Sequence, residues 1–173
     1  PHIDWVEAEH PLLRITLAKH GKKVVPLDIQ LSREQRILII SGPNAGGKSV
    51  CLKTVGLLQY MLQCGMLIPV KRASRAGIFR SIFIDIGDEQ SIEASLSTFS
   101  SHMVNVADIL GRVSDRSLVL FDELGSGTDP IEGAALAISI LEHTAKCGAL
   151  SAATTHYAEL KVYALETPGV QNA

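Results

Sequence analysis

The chain has 173 residues, of which 46% are hydrophobic and 20% charged, and its formal net charge at pH 7 is -2. A chain of this length buries about two thirds of its unfolded surface, so we expect residues 1–173 to form one domain. No apolar run approaches the roughly 20 residues of a membrane-spanning helix. The acidic N-terminal segment also lacks the basic start and apolar stretch of a signal peptide. We therefore expect a cytoplasmic protein without a membrane partner.

Cysteine usage and charge argue against three further classes of protein. The three cysteines, Cys51, Cys64 and Cys147, are widely spaced and form no C-x-x-C pair, so we expect neither disulfides nor a zinc site. Residues 1–87 hold 12 Lys and Arg against 6 Asp and Glu, a balance of +6, whereas residues 88–173 hold 4 against 12, a balance of -8. A chain that binds DNA over its own surface is usually basic overall. We therefore expect any DNA contact to lie outside this chain.

Strand patterns and helix patterns alternate along the sequence. β-branched and apolar runs predict strands, apolar residues at helical spacing predict helices, and the run at 117–122 lacks alternation, as in a strand covered on both faces. Asp129, Pro130 and Glu132 form a typical helix start. The predicted strands are 23–31, 36–41, 81–87, 117–122 and 149–156, and the predicted helices are 47–63, 101–113 and about 130–147. This order predicts an α/β domain with a mostly parallel sheet flanked by helices.

The segment "GPNAGGKS" at 42–49 matches the pattern G-x-x-x-x-G-K-[ST] of a phosphate-binding loop. It lies between a predicted strand and a predicted helix, which is the context that the pattern requires. Glycines let backbone N–H groups wrap phosphate oxygens at a helix N-terminus. Lys48 would reach the β- and γ-phosphates of a nucleotide, and Ser49 would offer its hydroxyl to Mg²⁺. The alternative is an ordinary glycine turn that caps a helix.

Two adjacent carboxylates, Asp122 and Glu123, end the apolar strand at 117–122. If this strand is parallel to the one before 42–49, Asp122 lies beside the Mg²⁺, whose charge makes a carboxylate favourable there. Glu123 would then face the water that attacks the γ-phosphate and act as its base. The alternative is a strand that simply reaches solvent at two acidic residues.

Hydroxyl side chains crowd the segment 91–103, and a histidine follows the last predicted strand. The hydroxyls either cap the helix predicted at 101 or, with its N-terminus, grip the γ-phosphate of a nucleotide bound to a partner subunit. His156 is either structural or a residue that touches the γ-phosphate and senses its loss.

Together these motifs resemble the ATPase domain of the MutS family. The segments appear in family order across almost the whole chain, as "EHPLL", "ISGPNAGGKSV", "SLSTFSSHM", "LVLFDELGSGTDPIEG" and "TTHYAELK". The resemblance is strongest to the second bacterial branch, which lacks the mismatch-reading domain and carries a C-terminal Smr nuclease. It implies a P-loop, ABC-ATPase-like fold that binds ATP and Mg²⁺ and works as a head-to-tail homodimer with two nucleotides in the interface.

The resemblance also implies roles for individual residues. Ser97 would reach the γ-phosphate in trans, the loop from Gly125 to Asp129 would lie at the dimer interface, and His156 would be the switch histidine. The residues assigned to the nucleotide are Gly42, Pro43, Asn44, Ala45, Gly46, Gly47, Lys48, Ser49, Val50 and, from the partner, Ser97. Those assigned to catalysis are Lys48, Glu123 and His156, and those assigned to Mg²⁺ are Ser49 and Asp122.

The sequence departs from the family pattern at two positions. Val24 stands where mismatch-repair members place an aromatic residue under the adenine, and His102 stands where their signature segment has a glutamate. The chain also starts without Met and stops where the family continues, which indicates an excised fragment.

These observations predict an Mg²⁺-dependent ATPase domain from a MutS-like protein that acts on branched or mismatched DNA through other domains. One alternative is a nucleotide-binding switch module with little turnover. The other is a transport-type cassette ATPase, although "SLSTF" is a poor match to the LSGGQ signature of that class.

Overall fold

A computed structural model describes residues 1–42, 47–86 and 95–173, and for 95–98 it describes the backbone alone. In chain order the elements are β1 (Ile3–Ala8), α1 (Pro11–Ala18), β2 (Leu27–Leu31), β3 (Ile37–Ser41), α2 (Lys48–Gln63), β4 (Arg75–Ala76), β5 (Ser81–Asp85), α3 (Ser95–Arg112), β6 (Ser117–Phe121), α4 (Pro130–Lys146), β7 (Leu150–Thr155), α5 (Ala158–Glu166) and β8 (Val170–Asn172).

Five strands form a parallel sheet in the order β5-β6-β7-β3-β8. In the register of this sheet Ser41 of β3 pairs with Thr155 of β7, and Phe121 of β6 pairs with Ala153 of β7. The carboxyl ends of β3, β6 and β7 therefore meet at one edge. The predicted α/β architecture with a mostly parallel sheet flanked by helices is confirmed.

A second, antiparallel sheet has the order β2-β1-β4. The strand predicted at 23–31 forms only from Leu27, and its partner is β1, which was not among the predicted strands. The neighbouring pattern at 36–41 forms β3 of the other sheet. Two strands close in sequence thus belong to different sheets.

Strand β6 explains why its sequence shows no alternation. All five of its residues are buried. Leu118 and Leu120 pack in one apolar cluster with α2 and the small sheet, whereas Val119 and Phe121 pack in a second cluster with α3, α4 and α5. Successive side chains point to opposite faces of a strand, and here both faces are covered by apolar side chains.

The three predicted helices form as α2, α3 and α4, of which two keep their predicted bounds to within one residue, whereas α1 and α5 were not predicted. Asp129 caps α4 by accepting hydrogen bonds from the N–H groups of Ile131 and Glu132, as its position before Pro130 predicts. The exception is α3, which begins at Ser95 rather than near 101. Ser97, Thr98, Ser100 and Ser101 therefore lie within the first two turns of the helix and do not precede it. Serine and threonine favour caps over helix interiors, which is why their crowding indicated a later start.

Within the described ranges no helix is long and apolar enough to span a membrane.

Candidate functional site

Two glycines of the segment predicted to bind phosphate have left-handed backbone. Gly42 follows β3 with φ 138°, and Gly47 caps α2 with φ 78°. Both angles strain a residue with a Cβ, which accounts for glycine at these two positions. Pro43, Asn44, Ala45 and Gly46 lie outside the described residues.

Lys48 begins α2 and is directed inward. Only 5% of the residue is exposed, and its Nζ donates a hydrogen bond to the carbonyl oxygen of Thr155, at 3.1 Å. Thr155 ends β7, the strand between the two predicted motifs. An ammonium carries three donors, so one carbonyl does not use its full capacity. The contact holds the cation at the edge where β3, β6 and β7 end.

Ser49 and Asp122 are in direct contact. The Ser49 hydroxyl lies 3.0 Å from Oδ1 and 2.9 Å from Oδ2 of Asp122, and Asp122 is 9% exposed. Thr154 of β7 donates its hydroxyl hydrogen to Oδ1 as well, at 2.6 Å. The two predicted metal ligands, 73 positions apart in sequence, are thus brought together. Their oxygens form the kind of hard donor set that Mg²⁺ prefers.

Glu123 has an unusual backbone conformation. Its φ of 48° lies in the left-handed region, which is uncommon for a residue with a side chain. Its N–H donates to the hydroxyl of Thr154 at 2.7 Å, and the residue is half-buried. Thr154 therefore holds both halves of the acidic pair, through the carboxylate of Asp122 and the main chain of Glu123.

The loop that follows the acidic pair packs closely on the start of α4. A Cβ on Gly125 would overlap the carbonyl oxygen of Gly133, and a Cβ on Gly133 would overlap that of Gly125. The buried Tyr157 hydroxyl donates to the Gly125 carbonyl oxygen at 2.9 Å. Burial raises the pKa of this phenol, and the nearby carboxylates of Glu123, Glu159 and Asp129 raise it further.

The remaining predicted site residues are placed as follows. His156 directly follows β7, is exposed, and its ring centroid lies 4.6 Å from that of Tyr157. Val50 is 40% exposed on the first turn of α2. Ser97 lies in the first turn of α3, where only the backbone is described. Their contacts with a nucleotide stay predictions.

Sequence reasoning missed several residues of the site. Thr154 and Thr155 contact Asp122, Glu123 and Lys48, although the sequence pattern gives them no role beyond the strand that precedes His156. Their signal was their position at the end of a predicted central strand. Asp85 and His102 form a further pair at this edge, 2.7 Å apart, that was not anticipated.

Comparisons with known proteins show which family the chain belongs to. The family described as MutS domain V matches residues 38–173. Proteins named Endonuclease MutS2 are 60% identical over 172 residues in Agathobacter rectalis, 57% identical over 172 residues in Geobacillus kaustophilus and 54% identical over 171 residues in Clostridium kluyveri. In each case 99% of this chain is covered, and the chain spans about 21% of the relative's length. These matches confirm the resemblance to the second bacterial branch, and the chain belongs to the MutS domain V family.

Proposed function

We propose that this chain is a P-loop, ABC-ATPase-like domain that binds ATP with Mg²⁺ and hydrolyses it. The observation that carries the proposal is the contact between Ser49 and Asp122, each oxygen pair within 3.0 Å. A hydroxyl at the start of a helix after a glycine-rich loop and a carboxylate at the end of a buried strand are the protein ligands of Mg²⁺ in P-loop enzymes.

Lys48 and the loop at 42–49 would hold the phosphates. The N-terminus of α2 presents backbone N–H groups and the positive end of the helix dipole to an anion. Lys48 is already directed to this edge by the carbonyl of Thr155. On binding, its ammonium would offer its other donors to phosphate oxygens and offset the negative charge that develops in the transition state.

Glu123 would act as the base for the attacking water. Its position one residue after Asp122 places its main chain beside the metal ligands, and the bond to Thr154 fixes that position. A carboxylate in hydrogen-bond reach of a water orients it and accepts its proton. When bound, Mg²⁺ supplies the positive charge that offsets the phosphate oxygens and the two neighbouring carboxylates.

The relatives are named Endonuclease MutS2 and are about five times as long as this chain. We infer that the chain is the nucleotide-driven part of such a protein. ATP would close a homodimer through the ATPase face, with Ser97 and the loop from Gly125 to Asp129 at the interface, and closure would act on DNA held by other domains. The net charge of -2 agrees with DNA contacts that lie in other domains, because a chain that binds DNA over its own surface is usually basic.

A nucleotide-dependent switch with little turnover is the second candidate. It is favoured by His156, which is exposed beside the site and is therefore open to a partner or to the terminal phosphate. Turnover by the full-length protein distinguishes the two functions, since a switch binds ATP tightly but releases phosphate slowly.

The test compares ATP binding by the full-length protein with that of two lysine variants. Lys48→Ala removes the buried ammonium and should weaken Mg-ATP binding by about tenfold or more. Lys53→Ala is the matched control, because Lys53 is exposed on the same helix. Equal ATP affinity of the Lys48→Ala and Lys53→Ala proteins would overturn the proposal.

A further inference from the structure

A buried carboxylate ends the edge strand of the parallel sheet. Asp85 is the last residue of β5 and is 6% exposed. Its main chain is bonded to Asp122, one of the two residues assigned to Mg²⁺. The carbonyl oxygen of Asp85 accepts a hydrogen bond from the N–H of Asp122 at 2.8 Å. The carboxylate of Asp85 therefore stands on a rigid part of the sheet, one strand away from the residues assigned to Mg²⁺.

The side chain of Asp85 is held by two residues of α3. Oδ2 lies 2.7 Å from Nδ1 of His102, and Oδ1 accepts a hydrogen bond from Nδ2 of Asn105 at 2.9 Å. An ionised carboxylate only accepts hydrogen bonds, so Nδ1 of His102 is the donor whether or not the ring is charged. Asn105 also donates to the carbonyl oxygen of Ile84, at 3.2 Å.

These contacts fix the middle of α3 relative to the sheet. Further along the helix, Val106 and Ile109 are buried in the apolar core, and the guanidinium of Arg112 lies 5.2 Å from the ring centroid of Phe83 on β5. The pair of His102 and Asp85 adds directional contacts to this apolar packing, and such contacts select one arrangement at little net gain in stability.

We propose that Asp85 and His102 are a positioning pair that sets the start of α3, and with it Ser97, for a nucleotide held by a second copy of the chain. Ser97 lies five residues before His102, about 7.5 Å along the helix axis. The start of α3 also touches the loop after the acidic pair, because Phe99 lies against Gly127. The inference rests on the proposed ATPase function. It assigns the pair an effect on the nucleotide site of the other copy in the dimer.

The first test measures the rate of ATP hydrolysis and ATP affinity separately in the full-length protein. His102→Ala removes the Nδ1 donor to Asp85 and should lower kcat by about ten- to a hundredfold. The affinity of the loop at 42–49 of the same protomer for ATP should change by less than about twofold. His102→Asn keeps a donor close to the position of Nδ1 and should recover most of the rate. Asp108→Ala is the control, because it breaks an exposed ion pair with Arg112 on the same helix.

The second test mixes two inactive variants. In a head-to-tail dimer of Lys48→Ala with His102→Ala, one site combines the intact loop of the His102 variant with the intact α3 of the Lys48 variant. We expect the mixture to recover to about a quarter of the wild-type rate, since half of the dimers are mixed and each has one intact site.

The outcomes separate the positioning role from simpler ones. No recovery on mixing, or a His102→Ala rate equal to that of Asp108→Ala, overturns the trans role of the pair. A His102→Asn protein as slow as His102→Ala also overturns it. If the wild-type protein neither binds nor hydrolyses ATP, the proposed function fails instead, and that result is recognised before any variant is compared.

Discussion

The hydroxyl of Ser49 contacts both carboxylate oxygens of Asp122, at 3.0 and 2.9 Å. Ser49 belongs to the first turn of α2, and Asp122 follows β6, which is separated from β3 by β7. This contact between distant parts of the sequence turns two motifs into one site. It also makes Ser49 the residue to substitute in a test of the proposed Mg²⁺ site.

Ser49→Ala should reduce the affinity of the site for Mg²⁺. If Ser49 holds Mg²⁺ as proposed, the change removes one oxygen ligand, and we expect the Mg²⁺ concentration that gives half-maximal ATP hydrolysis by the full-length protein to rise by about tenfold or more. Ser139→Ala is the control, since Ser139 is exposed on α4 and its hydroxyl bonds only to the carbonyl of Ala135 among the contacts described. An unchanged Mg²⁺ dependence of the Ser49→Ala protein would remove Ser49 from the metal site.

Glu123→Gln should stop hydrolysis without preventing ATP binding. Glutamine keeps the size of the side chain but does not accept a proton from water, so the rate should fall by about a hundredfold or more. Single-turnover phosphate release and equilibrium ATP binding are measured on the same full-length protein. Glu159→Gln, on the exposed first turn of α5, is the matched control. If full-length turnover is the same with glutamine at 123, the base lies elsewhere.

The sequence predicted the ends of the central strands well because each of them carries a strong local signal. Continuous apolar runs identify β3 and β6, and chemistry-bearing residues follow both strands directly, whereas β7 mixes Leu and Ala with Ser and Thr. The glycine pattern at 42–49 and the carboxylates Asp122 and Glu123 could be assigned to one edge, since parallel strands end together. The direct contact of Ser49 with Asp122 follows from that geometry.

The parts that the sequence did not predict depend on distant partners. Strand β1 is stabilised by pairing with β2 and β4, and Trp5 within it is buried by other elements, neither of which a local pattern encodes. The start of α3 was placed six residues late because hydroxyl side chains weaken the helical signal there. Thr154 was overlooked because a threonine in a buried strand is common, and only the structure shows which groups its hydroxyl bonds.

Thr154→Val should destabilise the chain and impair the site. The hydroxyl of Thr154 donates to Asp122 and accepts from the N–H of Glu123, and valine leaves both partners without this contact in a buried environment. We expect the free energy of unfolding to fall by about 1–3 kcal/mol. Denaturant unfolding measures the change. Thr154→Ser restores a hydroxyl and should recover most of the loss, and a serine variant as unstable as the valine variant would show that packing of the methyl group matters more.

Gly133→Ala should disrupt the contact between the loop at 125–129 and α4. A Cβ at this position would overlap the Gly125 carbonyl oxygen and would lie 2.6 Å from the Tyr157 hydroxyl oxygen. We expect a loss of about 1–3 kcal/mol in the free energy of unfolding, typical of an overpacked site. Gly111→Ala, on the exposed side of α3 with open space around its Cβ, should instead stabilise the chain by about 0.5–1 kcal/mol. Stabilisation by both substitutions would contradict the close packing of this loop.

Tyr157→Phe should lower the free energy of unfolding at neutral pH. At alkaline pH the difference between the variant and the wild type should become smaller. Burial, together with Glu123, Glu159 and Asp129, raises the pKa of the Tyr157 phenol above its ordinary value of 10.0. Folding therefore favours the protonated phenol, and this contribution is complete below the unfolded-state pKa and lost as the pH rises through the higher folded-state pKa. The difference in unfolding free energy between wild type and Tyr157→Phe should accordingly shrink from pH 8 to pH 11 in denaturant titrations. Tyr60→Phe is the control for removal of a phenol hydroxyl, because Tyr60 is 65% exposed on α2. A constant difference for Tyr157→Phe would mean that folding does not favour the protonated phenol, and it would contradict the raised pKa of Tyr157.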